Sequence, residues 1–199
     1  YSLVRPKQVP LAGETPSQAL ANRGVGYVEL RAVDVNPYSD IGIDEDTAGF
    51  LEVLALYCLM QDSPELYDQE LEDIEKNQAE VVNRGRAPNA VIIEHKKQVP
   101  ILKWMSQHLD HMQSLARVLN QTYASRIYTQ ALETMKQRIH KVDETLSAKV
   151  IQDTLSHKGT WSFGSEMANQ HAQSYEAHVL KPDTIEYFEG LAQSSLQKQ

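Results

Sequence analysis

Cysteine is nearly absent from this 199-residue sequence, where Cys58 stands alone. A single thiol excludes an intrachain disulfide framework and a cysteine-based zinc site. It fits a reducing compartment, so a cytoplasmic location is expected. No apolar run reaches the ~18 residues that a membrane-spanning helix needs, and no opening segment reads as a signal peptide. Bases are in the minority, 19 Lys and Arg against 27 Asp and Glu, for a formal net charge of -8. A general nucleic-acid binder would show a basic stripe instead. There is no internal repeat and no low-complexity tract. Neither nucleic acid nor a membrane is an expected partner.

What remains is a chain of ordinary globular composition, 41% hydrophobic and 23% charged, long enough for one large domain or two small ones. Its acidity is local. Asp62–Glu80 holds eight acids and one base, while the other 180 residues hold 19 acids and 18 bases. That segment lacks the ligand spacing of a Ca²⁺ loop and reads as a solvated helix face.

Residues 1–8 read as a short strand in which Pro6 marks an edge or an end. Residues 9–24, with Pro10, Gly13 and Pro16, read as a loop with one helical turn at Ser17–Ala21. Residues 25–35 give the clearest strand. Val28, Leu30 and Ala32 share one face and are expected to pack on helices; Tyr27, Glu29, Arg31 and Val33 share the other. Everything after Asp44 reads as about seven helices. The first is apolar nearly all round and should be buried, with Cys58 as a buried structural thiol. A second starts at Ser63-Pro64 and ends at Gly85. A short extended piece is expected at Ala90–Ile93, and a third helix near Pro100. The third and fourth carry stripes at alternating spacings of four and three: Ile101, Met105, His108, Met112, Leu115 and Leu119, then Tyr128, Leu132, Met135, Ile139 and Val142. These predict an antiparallel pair. A loop is expected at His157–Gly164, followed by helices over about 165–180 and 182–195.

The fold class is therefore α+β and predominantly helical. Residues 1–43 form a strand–loop–strand part of a sheet, and residues 44–199 a helical region. Two strands do not make a stable sheet alone, so further strands are expected outside this sequence. Open strand edges would let the chain self-associate.

One pair of residues has the makings of chemistry. Glu29 and Arg31 lie on one strand face, roughly 6.6 Å apart between Cα atoms. A carboxylate offers oxygen to a hard cation, and a guanidinium grips phosphate or carboxylate through two bonds. A cross-strand ion pair on a solvated face is the plainer alternative. His108 and His111 are one helical turn apart, and a metal there would need a third ligand from elsewhere.

The stretch Gly26-Tyr-Val-Glu-Leu-Arg-Ala-Val-Asp-Val-Asn-Pro-Tyr38, continued by Gly42-Ile-Asp44 and Phe50-Leu51, resembles the proteobacterial type of glutamate–cysteine ligase. Arg5-Pro6-Lys7 and Gly13-Glu14-x-Pro16 fit the same pattern, and Ser147–Ile151 fits it loosely. The likeness is strong over about residues 1–65 and corresponds to the C-terminal portion of that family. The resemblance implies a sheet of glutamine synthetase-like type. It implies an ATP-dependent ligase that joins the side-chain carboxylate of L-glutamate to the amino group of L-cysteine through an acyl phosphate, the first step of glutathione synthesis. ATP is then a co-substrate and Mg²⁺ a cofactor. Glu29 takes the place of a Mg²⁺ ligand, Arg31 that of the cation neutralising the phosphoryl group in flight, and Tyr1 that of a hydroxyl contacting cysteine. The chain alone would be inactive. The alternatives are a non-catalytic helical interaction module and a related ligase with another amine acceptor.

Overall fold

A computed structural model describes residues 3–197, which form two compact units, one up to Asn36 and one from Pro37 onward.

In the first unit, strand β1 (Val4–Lys7) pairs antiparallel with strand β2 (Tyr27–Leu30), setting Arg5 opposite Glu29 and Pro6 opposite Val28. The Arg31 N–H donates to the Leu3 carbonyl at 2.8 Å. Bonded pairs alternate with unbonded ones in an antiparallel ladder, so the Pro6 position falls where no N–H is required. Helix α1 (Pro16–Arg23) connects the strands. Thr15 and Gln18 cap it reciprocally: Gln18 N–H donates to Thr15 Oγ1 at 3.3 Å, and Thr15 N–H to Gln18 Oε1 at 2.9 Å. Glu14 accepts both arms of the Arg23 guanidinium at 2.9 and 2.7 Å, and Arg23 also donates to the Val9 carbonyl. The connecting loop is thereby laced to the end of α1. The ladder is shorter than the expected strand over 25–35. Residues 31–36 have no paired strand among the described residues, and Val28 and Leu30 stay exposed rather than packed.

The second unit contains α2 (Glu45–Leu59), α3 (Asp68–Arg84), the hairpin β3 (Val91–Glu94) and β4 (Lys97–Pro100), α4 (Ile101–Thr122), α5 (Ile127–His140), a 3-10 turn (Val142–Glu144), α6 (Leu146–Ser156), α7 (Thr160–Ala177) and α8 (Pro182–Leu196). Among the described residues seven α-helices thus follow Asp44, where about seven are expected. Asp44 caps α2 by accepting the Thr47 N–H at 2.6 Å. The core joins Val53 of α2, Leu109, Met112, Ala116 and Leu119 of α4, and Tyr128, Leu132 and Ile139 of α5. Gly49 lets α2 approach α5: a Cβ there would meet Ala131 and Ile127 at 3.4 Å. No described helix is long and apolar enough to cross a membrane.

Several local expectations shift. α2 is buried only at Gly49 and Val53, while Leu59 and Met60 are exposed and so is Cys58. Its apolar circumference exceeds what α4 and α5 cover. α3 begins at Asp68 rather than at Pro64, because the Tyr67 N–H finds its acceptor in Glu70 at 3.0 Å. Of the α4 stripe, Ile101, Met112 and Leu119 are buried as expected; Leu109 and Ala116 join them, while His108 and Leu115 are half-buried and Met105 is exposed. The expected loop at 157–164 is helical from Thr160. The piece at 90–93 becomes a full hairpin, turned by His95 and Lys96 at φ 49° and 64°.

Candidate functional site

The antiparallel register of β1 and β2 puts Arg5, Lys7, Glu29 and Arg31 on one side of the ladder. Glu29 is their centre. Lys7 Nζ lies 2.8 Å from Glu29 Oε2, and Arg31 Nε lies 3.5 Å from Oε1. The hydrogen-bonded Lys7 ammonium holds the Glu29 carboxyl below the usual carboxylate range; the nearby charges of Arg31 and Arg5 add to the effect, and desolvation opposes it. The side chains of Lys7, Glu29 and Arg31 are each between 34% and 40% exposed, so the cluster is open to an incoming ligand. Its balance, three cations around one anion, suits a polyanion with charge to spare.

Glu29 and Arg31 are therefore neighbours in space as well as in sequence. Tyr1 lies outside the described residues. Lys7 escapes a reading of the sequence alone, because its meeting with Glu29 depends on the strand register. The alternation in Arg5-Pro6-Lys7 was the available signal, since it puts both cations on one face. One carboxylate among three cations falls short of the several oxygen ligands that Mg²⁺ takes. No group of three or more metal-competent side chains converges among the described residues, so these residues do not by themselves fit the ion.

The second unit has a separate polar cluster. The His108 ring lies 4.3 Å from that of Trp104 and 6.1 Å from that of His111. Its Nδ1 is 3.2 Å from the Tyr57 hydroxyl. Trp104 Nε1–H donates to Glu94 at 2.8 Å. Burial pushes the His108 pKa below its ordinary value, against the pull of Glu94. This histidine packs among aromatics.

Comparison with known proteins agrees with the strand motif. The family model for glutamate-cysteine ligase matches residues 1–81. A glutamate–cysteine ligase of Pseudomonas fluorescens is 34% identical over 200 residues, covering 100% of this chain and 38% of the relative. That of Azotobacter vinelandii is 35% identical over 201 residues with the same coverage. The crystal structure of glutamate–cysteine ligase from Francisella tularensis in complex with AMP superposes with a TM-score of 0.85 at 28% identity, over 100% of this chain and 39% of that one. The chain thus spans less than two-fifths of the length of the relatives it matches. Along its whole length the chain is thus similar in sequence and in fold to a C-terminal portion of glutamate–cysteine ligases.

Proposed function

We propose that this chain contributes one face of the active site of an ATP-dependent ligase that joins the side-chain carboxylate of L-glutamate to the amino group of L-cysteine. In the first half-reaction a glutamate carboxylate oxygen attacks the γ-phosphorus of ATP, and ADP leaves. In the second, the cysteine nitrogen attacks the acyl phosphate carbon, phosphate leaves, and the nitrogen gives up a proton. Both steps concentrate negative charge on the phosphoryl oxygens, and fixed cations stabilise such charge. The observation that carries the proposal is the Glu29-centred cluster, where Arg31, Arg5 and Lys7 bring surplus positive charge to one strand face.

Arg31 is the cation assigned to the transferring phosphoryl group. Glu29 orients Arg31 and offers one oxygen to Mg²⁺, which when bound would neutralise nucleotide phosphate charge. The ion's other ligands must come from the rest of a relative's chain. Tyr1 is assigned to the cysteine substrate. The likeness to glutamate–cysteine ligases and the AMP-bound neighbour support nucleotide use. The reaction's small, soluble substrates favour a cytoplasmic location. The 199 residues alone are expected to be inactive, and to pair with a second copy through the outer edges of β1 and β2. A strictly monomeric species in sedimentation would refute that pairing.

The test is ADP release by a full-length ligase carrying this segment, with glutamate, cysteine and Mg·ATP. Glu29→Gln and Arg31→Ala should each lower turnover on the order of 10²-fold. Turnover at the wild-type level in both variants would overturn the assignment. Replacing cysteine with 2-aminobutyrate or other amines tests the acceptor, and Tyr1→Phe should raise KM for cysteine more than it lowers turnover with saturating amine.

A further inference from the structure

The second unit encloses a cavity of about 620 Å³ between α2, α4 and α5. Val142 of the 3-10 turn, Thr145, and Gly85 and Arg86 after α3 complete the lining. Its size falls within the roughly 300–1,000 Å³ of small-molecule sites. Most of its wall is apolar, and three methionines, Met105, Met112 and Met135, make that wall adaptable. Its polar members are few: the Tyr57–His108 pair, Gln61, Cys58, Thr145 and two arginines. No acid lines it.

The arginines differ. Arg138 faces Asp44 at 3.9 Å and sets Nη1 against Met135 Sδ at 3.7 Å. Arg86 is exposed, which places it at the opening, and it has no hydrogen-bond or ion-pair partner among the described residues. An apolar cavity with an unengaged guanidinium at its mouth is complementary to an amphiphile bearing one negative head. Burial disfavours a charge on His108 and Arg138 is turned to Asp44, so Arg86, at the exposed side, is the guanidinium left for a ligand. We propose that this cavity binds an apolar monocarboxylate, its tail among the methionines and Trp104 and its carboxylate on Arg86. The proposal uses no residue of the Glu29 cluster and does not rest on the ligase reading.

The experiment uses the 199-residue chain carrying Trp161→Phe. Trp161 is 88% exposed, and its removal leaves Trp104, on the cavity wall, as the sole tryptophan. Decanoate, decan-1-ol and decylamine serve as anionic, neutral and cationic probes of one tail length. Trp104 fluorescence follows binding, and the alkylation rate of Cys58, which also lines the cavity, gives a second signal. Decanoate should give a saturable change and slow Cys58 alkylation. It should bind at least several-fold tighter than decan-1-ol, and decylamine should bind weakest. Arg86→Gln, at an exposed loop position, should weaken decanoate roughly tenfold, the scale of one charged hydrogen bond, and leave decan-1-ol unchanged. Equal binding of decanoate and decan-1-ol, no saturable binding, or an unaltered Arg86→Gln variant would overturn the proposal. Two further outcomes would also sink it. If Cys58 protection appears without probe and rises with protein concentration, a second copy fills the cavity. If a full-length ligase carrying this segment does not bind decanoate, the rest of the chain fills it.

Discussion

Leu132 and Met135 sit one turn apart on α5 and should respond very differently to truncation. Leu132 is 0% exposed and belongs to the core shared by α2, α4 and α5, beside Val53, itself 0% exposed. Leu132→Ala removes three carbons from a closed site whose walls are helices fixed on several sides. The lost transfer energy and the cavity left behind add, for a cost of about 3–5 kcal/mol. Met135 lines the existing cavity and is half-buried. Met135→Ala mainly widens a space already open, so it should cost about 1–2 kcal/mol, below the ~2–5 kcal/mol typical of methionine truncation in a closed core. For a unit of this size each kcal/mol moves Tm by roughly 2–4 °C. Leu132→Ala should therefore lower Tm by roughly 10 °C, and Met135→Ala by only a few degrees. Urea unfolding followed by circular dichroism at 222 nm, with unchanged slope, measures both. Equal costs for the two variants would refute the reasoning, since they would mean that the cavity is closed in solution or that Leu132 is not enclosed.

Two titrations test local structure. Arg23 and the Leu11 N–H hold the Glu14 carboxyl down at about 2. A carboxyl depressed in the folded state contributes stability above its unfolded value, near 4.3, and loses it as pH falls toward 2. Carbonyl-detected NMR should find this low midpoint, and Arg23→Met should return it most of the way to ordinary; an ordinary midpoint in the wild type would refute the loop lacing. Burial first, and the hydrogen bond to Asp153 second, push Tyr38 up to about 12. A raised phenol contributes stability below pH ~10 and loses it as pH rises through 12. The difference in absorbance at 295 nm between wild type and Tyr38→Phe should isolate this group. Asp153→Asn should bring its midpoint down part of the way, and no change would show that the two side chains do not meet.

Where a helix had two distinct faces, residue spacing found much of its packed side, missing in α4 only neighbours such as Leu109 and Ala116. The stripe from Tyr128 to Ile139 predicts the buried side of α5. α2 defeats the same logic because nearly every position is apolar, so spacing does not tell Val53, which finds partners, from Cys58, which does not. The hairpin at 91–100 is hidden because its turn uses His95 and Lys96 at positive φ, where a sequence reader looks for Asn-Gly. Ser63-Pro64 is a sound local start signal that lost to Tyr67 and Glu70 a few residues on. At the candidate site, Glu29 and Arg31 were legible because a strand places i and i+2 together. Lys7 was not, because it reaches Glu29 through a register fixed by residues on both strands.

The segment just after Asn36 is fastened by partners far along the chain. Tyr38 donates to Asp153 at 2.5 Å, the Pro37 carbonyl meets His171 Nε2 at 2.8 Å, and Tyr175 donates to the Asp40 carbonyl at 2.8 Å. These contacts span 115 to 135 residues. At ribosomal rates of about 5–20 residues per second, the segment waits on the order of ten seconds between its own synthesis and the arrival of α6 and α7. During that interval its distant partners are not yet made, so this stretch is secured long after it is translated. A nascent chain stalled before Asp153 would leave it open to proteases and chaperones, and release of the completed chain would close that window.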